Sequence, residues 1–158
     1  MVEILSDQQR QAEQLCNEGI DLCDENNLAE AHKIFLKAYE MDPGSAKIQS
    51  WLGYTTGVLE RKIVKGLEYC KKAIDSQIPD AMFYRNIGKL YLLQNNKRAA
   101  IGAFSRGLQI DKTNRAILNE LKTVGFRRKV FFSSVDRSHW LNKQMGKFTW
   151  WLTHRGEK

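Results

Sequence analysis

Gly19, Gly53 and Gly88 lie 34 and 35 residues apart, and each opens the same series of small and large side chains. Twelve residues beyond Gly19 and Gly88 stand Ala31 and Ala100; with one residue inserted, Gly66 holds that place after Gly53. Four further on come Phe35, Cys70 and Phe104, and three beyond those Ala38, Ala73 and Gly107. Self-similarity at this period means one supersecondary unit stacked on copies of itself. Gaps of four and three put the second half of each copy on one helix face. Small residues at apolar positions mean that a second helix passes very close, toward the low end of the usual 8–10 Å. Each copy is therefore a helical hairpin.

Turn signals divide the copies. Glu25-Asn26-Asn27 and Gln94-Asn95-Asn96 break two hairpins, and Asn27 followed by Glu30 reads as a capping pair. Asp42-Pro43-Gly44-Ser45 stops one unit and caps the next. The spacing predicts helices near 9–24, 28–41, 46–60, 63–76, 80–94, 97–110 and 114–125. In the seventh, Ile117, Leu118, Leu121 and Val124 are expected to cover the last unit, with Arg115, Asn119, Glu120 and Lys122 facing water.

This pattern resembles the tetratricopeptide repeat family over roughly residues 12–114. The third copy carries it best, through Tyr84, Ile87, Gly88, Tyr91, Ala100, Phe104 and Gly107. The first has Leu15, Gly19, Leu22, Ala31, Phe35, Ala38 and Pro43; the second has Leu52, Gly53, Thr56, Gly66, Cys70 and Ala73, with Pro79 displaced. Glu18 and Lys112 depart from the family, which has an apolar residue and a proline there. The resemblance implies an all-α, right-handed α-α superhelix. Residues 1–125 would form three repeats with a capping helix.

By the same likeness the first helix of each hairpin lines a concave groove. Its positions here are Glu13, Cys16, Ile20, Cys23 and Asp24; then Lys47, Ser50, Tyr54, Gly57 and Val58; then Met82, Arg85, Lys89, Leu92 and Leu93. The candidate peptide-binding residues are Cys16, Ile20, Cys23, Tyr54, Val58, Met82, Arg85, Lys89 and Leu92. They make an apolar, aromatic groove with a positive spot at Arg85 and Lys89. One subgroup of the family grips a chaperone's C-terminal carboxylate with Lys and Asn where this chain has Cys16 and Ile20. That mode is not expected here, because a carboxylate needs several converging donors. An apolar peptide or helix is the expected guest.

Beyond Gly125 the character changes. Residues 1–125 hold 17 Lys and Arg against 16 Asp and Glu; residues 126–158 hold 8 against 2, so the excess of +7 lies almost wholly in the tail (+1 and +6). Three of the four tryptophans are there too. Arg127 to Phe132 reads as an extended arm and residues 138–153 as an amphipathic helix. Leu141, Met145, Phe148 and Leu152 form its stripe, widened by Trp140 and Trp151. The stripe is expected to pack on the chain's own repeats or in a homodimer. Contact with a membrane surface or nucleic acid is the alternative.

No catalytic constellation is expected. His32, His139 and His154 pair with no local Cys, Ser or acid, and His32, beside Ala31, is expected at the surface. No glycine loop cradles phosphate. Cys16, Cys23 and Cys70 lack zinc-like spacing and suit a reducing compartment. The first residues lack the apolar core of a secretory signal, so the expected compartment is the cytoplasm. No cofactor and no metal are expected. The sequence thus points to a non-enzymatic scaffold or adaptor for a protein or peptide partner.

Overall fold

A computed structural model describes residues 6–125. Seven helices follow one another: α1 (Asp7–Asp24), α2 (Leu28–Met41), α3 (Ala46–Leu59), α4 (Ile63–Asp75), α5 (Ala81–Leu93), α6 (Lys97–Ile110) and α7 (Arg115–Thr123). The first six form three hairpins, α1/α2, α3/α4 and α5/α6. Each hairpin packs on the next, and α1, α3 and α5 lie side by side. The expected tail helix and its stripe fall outside the described residues.

Local chemistry sets most of the boundaries. Ser6 and Gln9 form a reciprocal capping box that starts α1 two residues earlier than the spacing predicts. Ser45, Asn27, Asn96 and Asn114 accept from the backbone amides of Ile48, Glu30, Ala99 and Ile117 and so begin α3, α2, α6 and α7. Within the hairpin turns Asn26 and Asn95 take left-handed φ angles of 64° and 58°. Asparagine adopts this conformation more readily than most residues. In the middle hairpin Arg61 holds that place at φ 57°, and Lys62 begins α4 without a side-chain cap. The extra residue of the second copy lengthens α3: six residues follow Gly53 in it, against five after Gly19 in α1 and five after Gly88 in α5.

Two kinds of close contact hold the hairpins. In the first and third, the atoms nearest the glycine belong to the phenylalanine ring rather than to the facing alanine. A Cβ on Gly19 would lie 2.7 Å from Phe35, and one on Gly88 would collide with Phe104. Both rings are fully buried. In the middle hairpin the backbones themselves meet. A Cβ on Gly53 would lie 2.6 Å from the carbonyl oxygen of Gly66, and one on Gly66 2.5 Å from that of Gly53. With no gap for a ring, the smaller Cys70 fills the place of phenylalanine, its thiol 3.4 Å from the carbonyl oxygen of Ser50. The second copy departs from the repeat pattern because it uses this closer packing.

Three surface expectations are corrected. His32 is buried: Nδ1 lies 2.9 Å from Thr55 Oγ1 and Nε2 3.0 Å from Glu60 Oε1. It sits in the seam between α2 and α3, where a position beside Ala31 faces the next hairpin rather than water. Glu120 does not face water either, since its carboxylate meets α5. Leu118, expected to cover the last repeat, is 37% exposed; Ile117 and Leu121 do the covering.

Candidate binding groove

The nine groove candidates come from α1, α3 and α5, and the structure sorts them by depth. Cys16 and Tyr54 are core residues, 0% and 6% exposed. Ile20, Cys23, Val58, Met82, Arg85, Lys89 and Leu92 are half-buried. Ile20, Cys23, Val58 and Met82 pack on the main core, and Leu92 on the cluster around Phe104 and Ile117.

Close packing sets the depth. A Cβ on Gly57 would collide with Leu90, so α3 and α5 approach without bulk between them. The pair Ser50 and Asn86 joins the same two helices through a buried 3.1 Å bond donated by Asn86 Nδ2. Lys47 donates to Asn17 Oδ1 at 2.7 Å and links α3 to α1. The three first helices are thus held together by polar links beside apolar contact.

Side chains of α3 and α5 meet at Lys89. The Lys89 ammonium stands 4.5 Å over the Tyr54 ring, a cation–π geometry. Burial pushes the Cys23 thiol up to about 11, and Asp24 adds to this, while Lys89 and Arg85 pull the other way. Burial likewise pushes Cys16 up to about 11 against the pull of Lys47. Neither thiol is an activated nucleophile.

The positive spot is not bare. Glu120, on α7, places Oε1 3.3 Å from an Arg85 Nη2 and 3.7 Å from Lys89 Nζ. The three side chains are only 18–27% exposed. The spacing signal missed Glu120 because its partners lie 35 and 31 residues upstream, on a helix that periodicity alone does not place beside α7. Among the described residues no group of His, Cys, Asp and Glu is placed to hold a metal ion, and no helix is long and apolar enough to cross a membrane.

No family model and no curated protein matches the sequence. Solved structures do match. The second tetratricopeptide-repeat domain of human RPAP3, in complex with an HSP70 peptide, is 15% identical; the match covers 76% of this chain and 99% of that one, with a TM-score of 0.58. PcrH, in complex with the chaperone-binding region of PopB, is 19% identical over 77% of this chain and 95% of its own, with a TM-score of 0.54. An O-GlcNAc transferase of Thermobaculum terrenum is 10% identical over 96% of this chain but only 28% of its own length, with a TM-score of 0.68. This is the tetratricopeptide-repeat fold. The all-α right-handed superhelix that the resemblance implies is present over the described residues, and Gly19, Gly53 and Gly88 occupy equivalent places in its three hairpins.

Proposed function

We propose that this chain is a non-enzymatic binding module that takes an apolar peptide or helix in the groove formed by α1, α3 and α5. The observation that carries this is the row of half-buried apolar side chains beside the cation pair: Ile20 from α1, Val58 from α3, Met82 and Leu92 from α5. Partial burial leaves each with apolar surface still to cover, and that surface supplies binding energy at about 25 cal/mol per Å². The frame beneath is closely packed, so little ordering is needed on binding. Similarity in fold to the RPAP3 domain and to PcrH, each solved with a peptide or protein segment, supports a segment of chain as the guest.

The test compares two double substitutions, each first checked by thermal melting to keep the fold, against a partner recovered with the full-length chain. Ile20→Ser with Met82→Ser is expected to weaken binding at least tenfold, a loss of about 1.4 kcal/mol. Leu36→Ser with Val64→Ser, on the second helices, is expected to leave it unchanged. Loss in the second variant alone would place the site elsewhere.

A second reading uses residues 126–158, with their charge of +6 and three tryptophans. It assigns Trp140, Leu141, Met145, Phe148, Trp151 and Leu152 to a partner surface: a second copy of the chain, an anionic membrane or nucleic acid. Deleting 126–158 is expected to abolish flotation with anionic vesicles, salt-dependent RNA binding or self-association, according to which applies. If all three persist, this reading falls.

A further inference from the structure

We infer that Glu120 is an internal occupant of the groove's cation pair, and that a side-chain carboxylate of the partner replaces it on Arg85 and Lys89 as α7 lets go. The inference rests on the groove reading above and adds to it a regulator and a chemical requirement on the partner.

The geometry of the ion pair makes Glu120 replaceable. Charge-assisted N–H···O bonds run at about 2.7–2.9 Å, and arginine binds carboxylates best through two parallel bonds. Glu120 offers both cations the same oxygen, at 3.3 and 3.7 Å. Arg85 Nε is buried and makes no hydrogen bond among the described residues. The guanidinium is thus only partly matched by the carboxylate it has. A carboxylate carried by a guest, free to choose its approach, could engage the fork with both oxygens.

The cations keep their places when Glu120 departs. Lys89 stays over the Tyr54 ring, and Tyr54 is itself a core residue. Arg85 and Lys89 stand four residues apart on α5, a helix held by Phe83, Ile87 and Leu90 in the interior. Two partly buried cations without a counter-charge are costly, which drives replacement rather than vacancy. The moving part is α7. It is the shortest helix described, with nine residues, and buries only Ile117 and Leu121. An element with so few buried contacts opens at lower free energy than the hairpins. Glu120 is thus an anchor of the helix most easily released.

Two consequences follow by linkage: guest binding weakens α7, and a fixed α7 weakens the guest by the same factor. The test uses a blocked leucine-rich peptide with a central glutamate, its glutamine counterpart, and the full-length chain. Glu120→Gln is expected to tighten the glutamate peptide by on the order of tenfold and the glutamine peptide little. In the unmutated chain the glutamate peptide is expected to speed amide hydrogen exchange over residues 115–123, a readout that needs no variant. If both peptides bind both proteins equally, or exchange over 115–123 is unchanged in the complex, the inference falls and the groove reading stands. If Glu120→Gln tightens both peptides alike, α7 is a steric lid and the carboxylate exchange falls. If neither peptide binds either protein, the groove reading falls and the inference with it.

Discussion

At the scale of single residues, space decides sign. Gly66 and Gly102 both lie inside helices, where alanine is intrinsically the better residue by about 0.5–1 kcal/mol. A Cβ on Gly66 would meet backbone atoms of Gly53 and Gly57 at 2.5–3.2 Å, and backbone cannot step aside as a side chain can. A Cβ on Gly102 would meet nothing within 4 Å. Gly66→Ala is therefore expected to cost about 1–3 kcal/mol by overpacking, and Gly102→Ala to add about 0.5–1 kcal/mol. Urea unfolding of the two variants checks both signs at once. Nothing in the structure explains Gly102 as a packing glycine. Glu60 adds a pH dependence. Hydrogen bonds from Lys62 and then His32 hold its carboxyl below the usual range. A depressed folded value means that its stabilisation is complete above the unfolded value of about 4.3 and is lost as pH falls through the lower one. Melting temperature is expected to decline less steeply below pH 5 in Glu60→Gln than in the unmutated chain. The small residues were legible in the sequence because sterics repeat with the register. His32 and Glu120 were not, because a polar residue reads as water-facing until its partner from a distant helix is known.

At the scale of elements, the helix boundaries were mostly legible from Asn, Ser, Asp and Pro. Six of the predicted starts fall within one residue of those observed, and α1 begins earlier because Ser6 and Gln9 cap it. The middle turn is the exception worth testing. It carries Arg61-Lys62 where the other hairpins carry Asn-Asn. A left-handed φ at a non-glycine residue costs about 1–2 kcal/mol, and least for asparagine. Arg61→Asn is expected to stabilise the chain by up to about 1 kcal/mol, part of that cost, read as a rise in melting temperature. The capping helix behaves differently from the hairpins. Ile117 is fully buried and packs against Gly107, where a Cβ would lie 2.6 Å from its Cδ1. Ile117→Ala is expected to cost about 2–5 kcal/mol of local stability. Hydrogen exchange should show the loss over residues 115–123 first, with α1 to α4 protected as before. Uniform loss of protection would mean that α7 unfolds only with the whole domain.

At the scale of the molecule, repeats contact mainly their neighbours, so the three first helices form one continuous surface whose chemistry is set copy by copy. Tyr54 and Lys89 come together only because α3 and α5 stack side by side. The likeness to the repeat family anticipated that stacking. It did not anticipate that Tyr54 lies in the core or that α7 supplies a counter-charge, since both follow from how far apart the helices sit. The central claim is that a partner's segment enters this surface and no other. It is tested most directly by a photo-crosslinking amino acid placed at Met82, with the same group at Leu36 on α2 as the control, in the full-length chain with its partner present. Crosslinks to the partner from position 82 and none from position 36 are the expected result; crosslinks from position 36 and none from position 82 would contradict it.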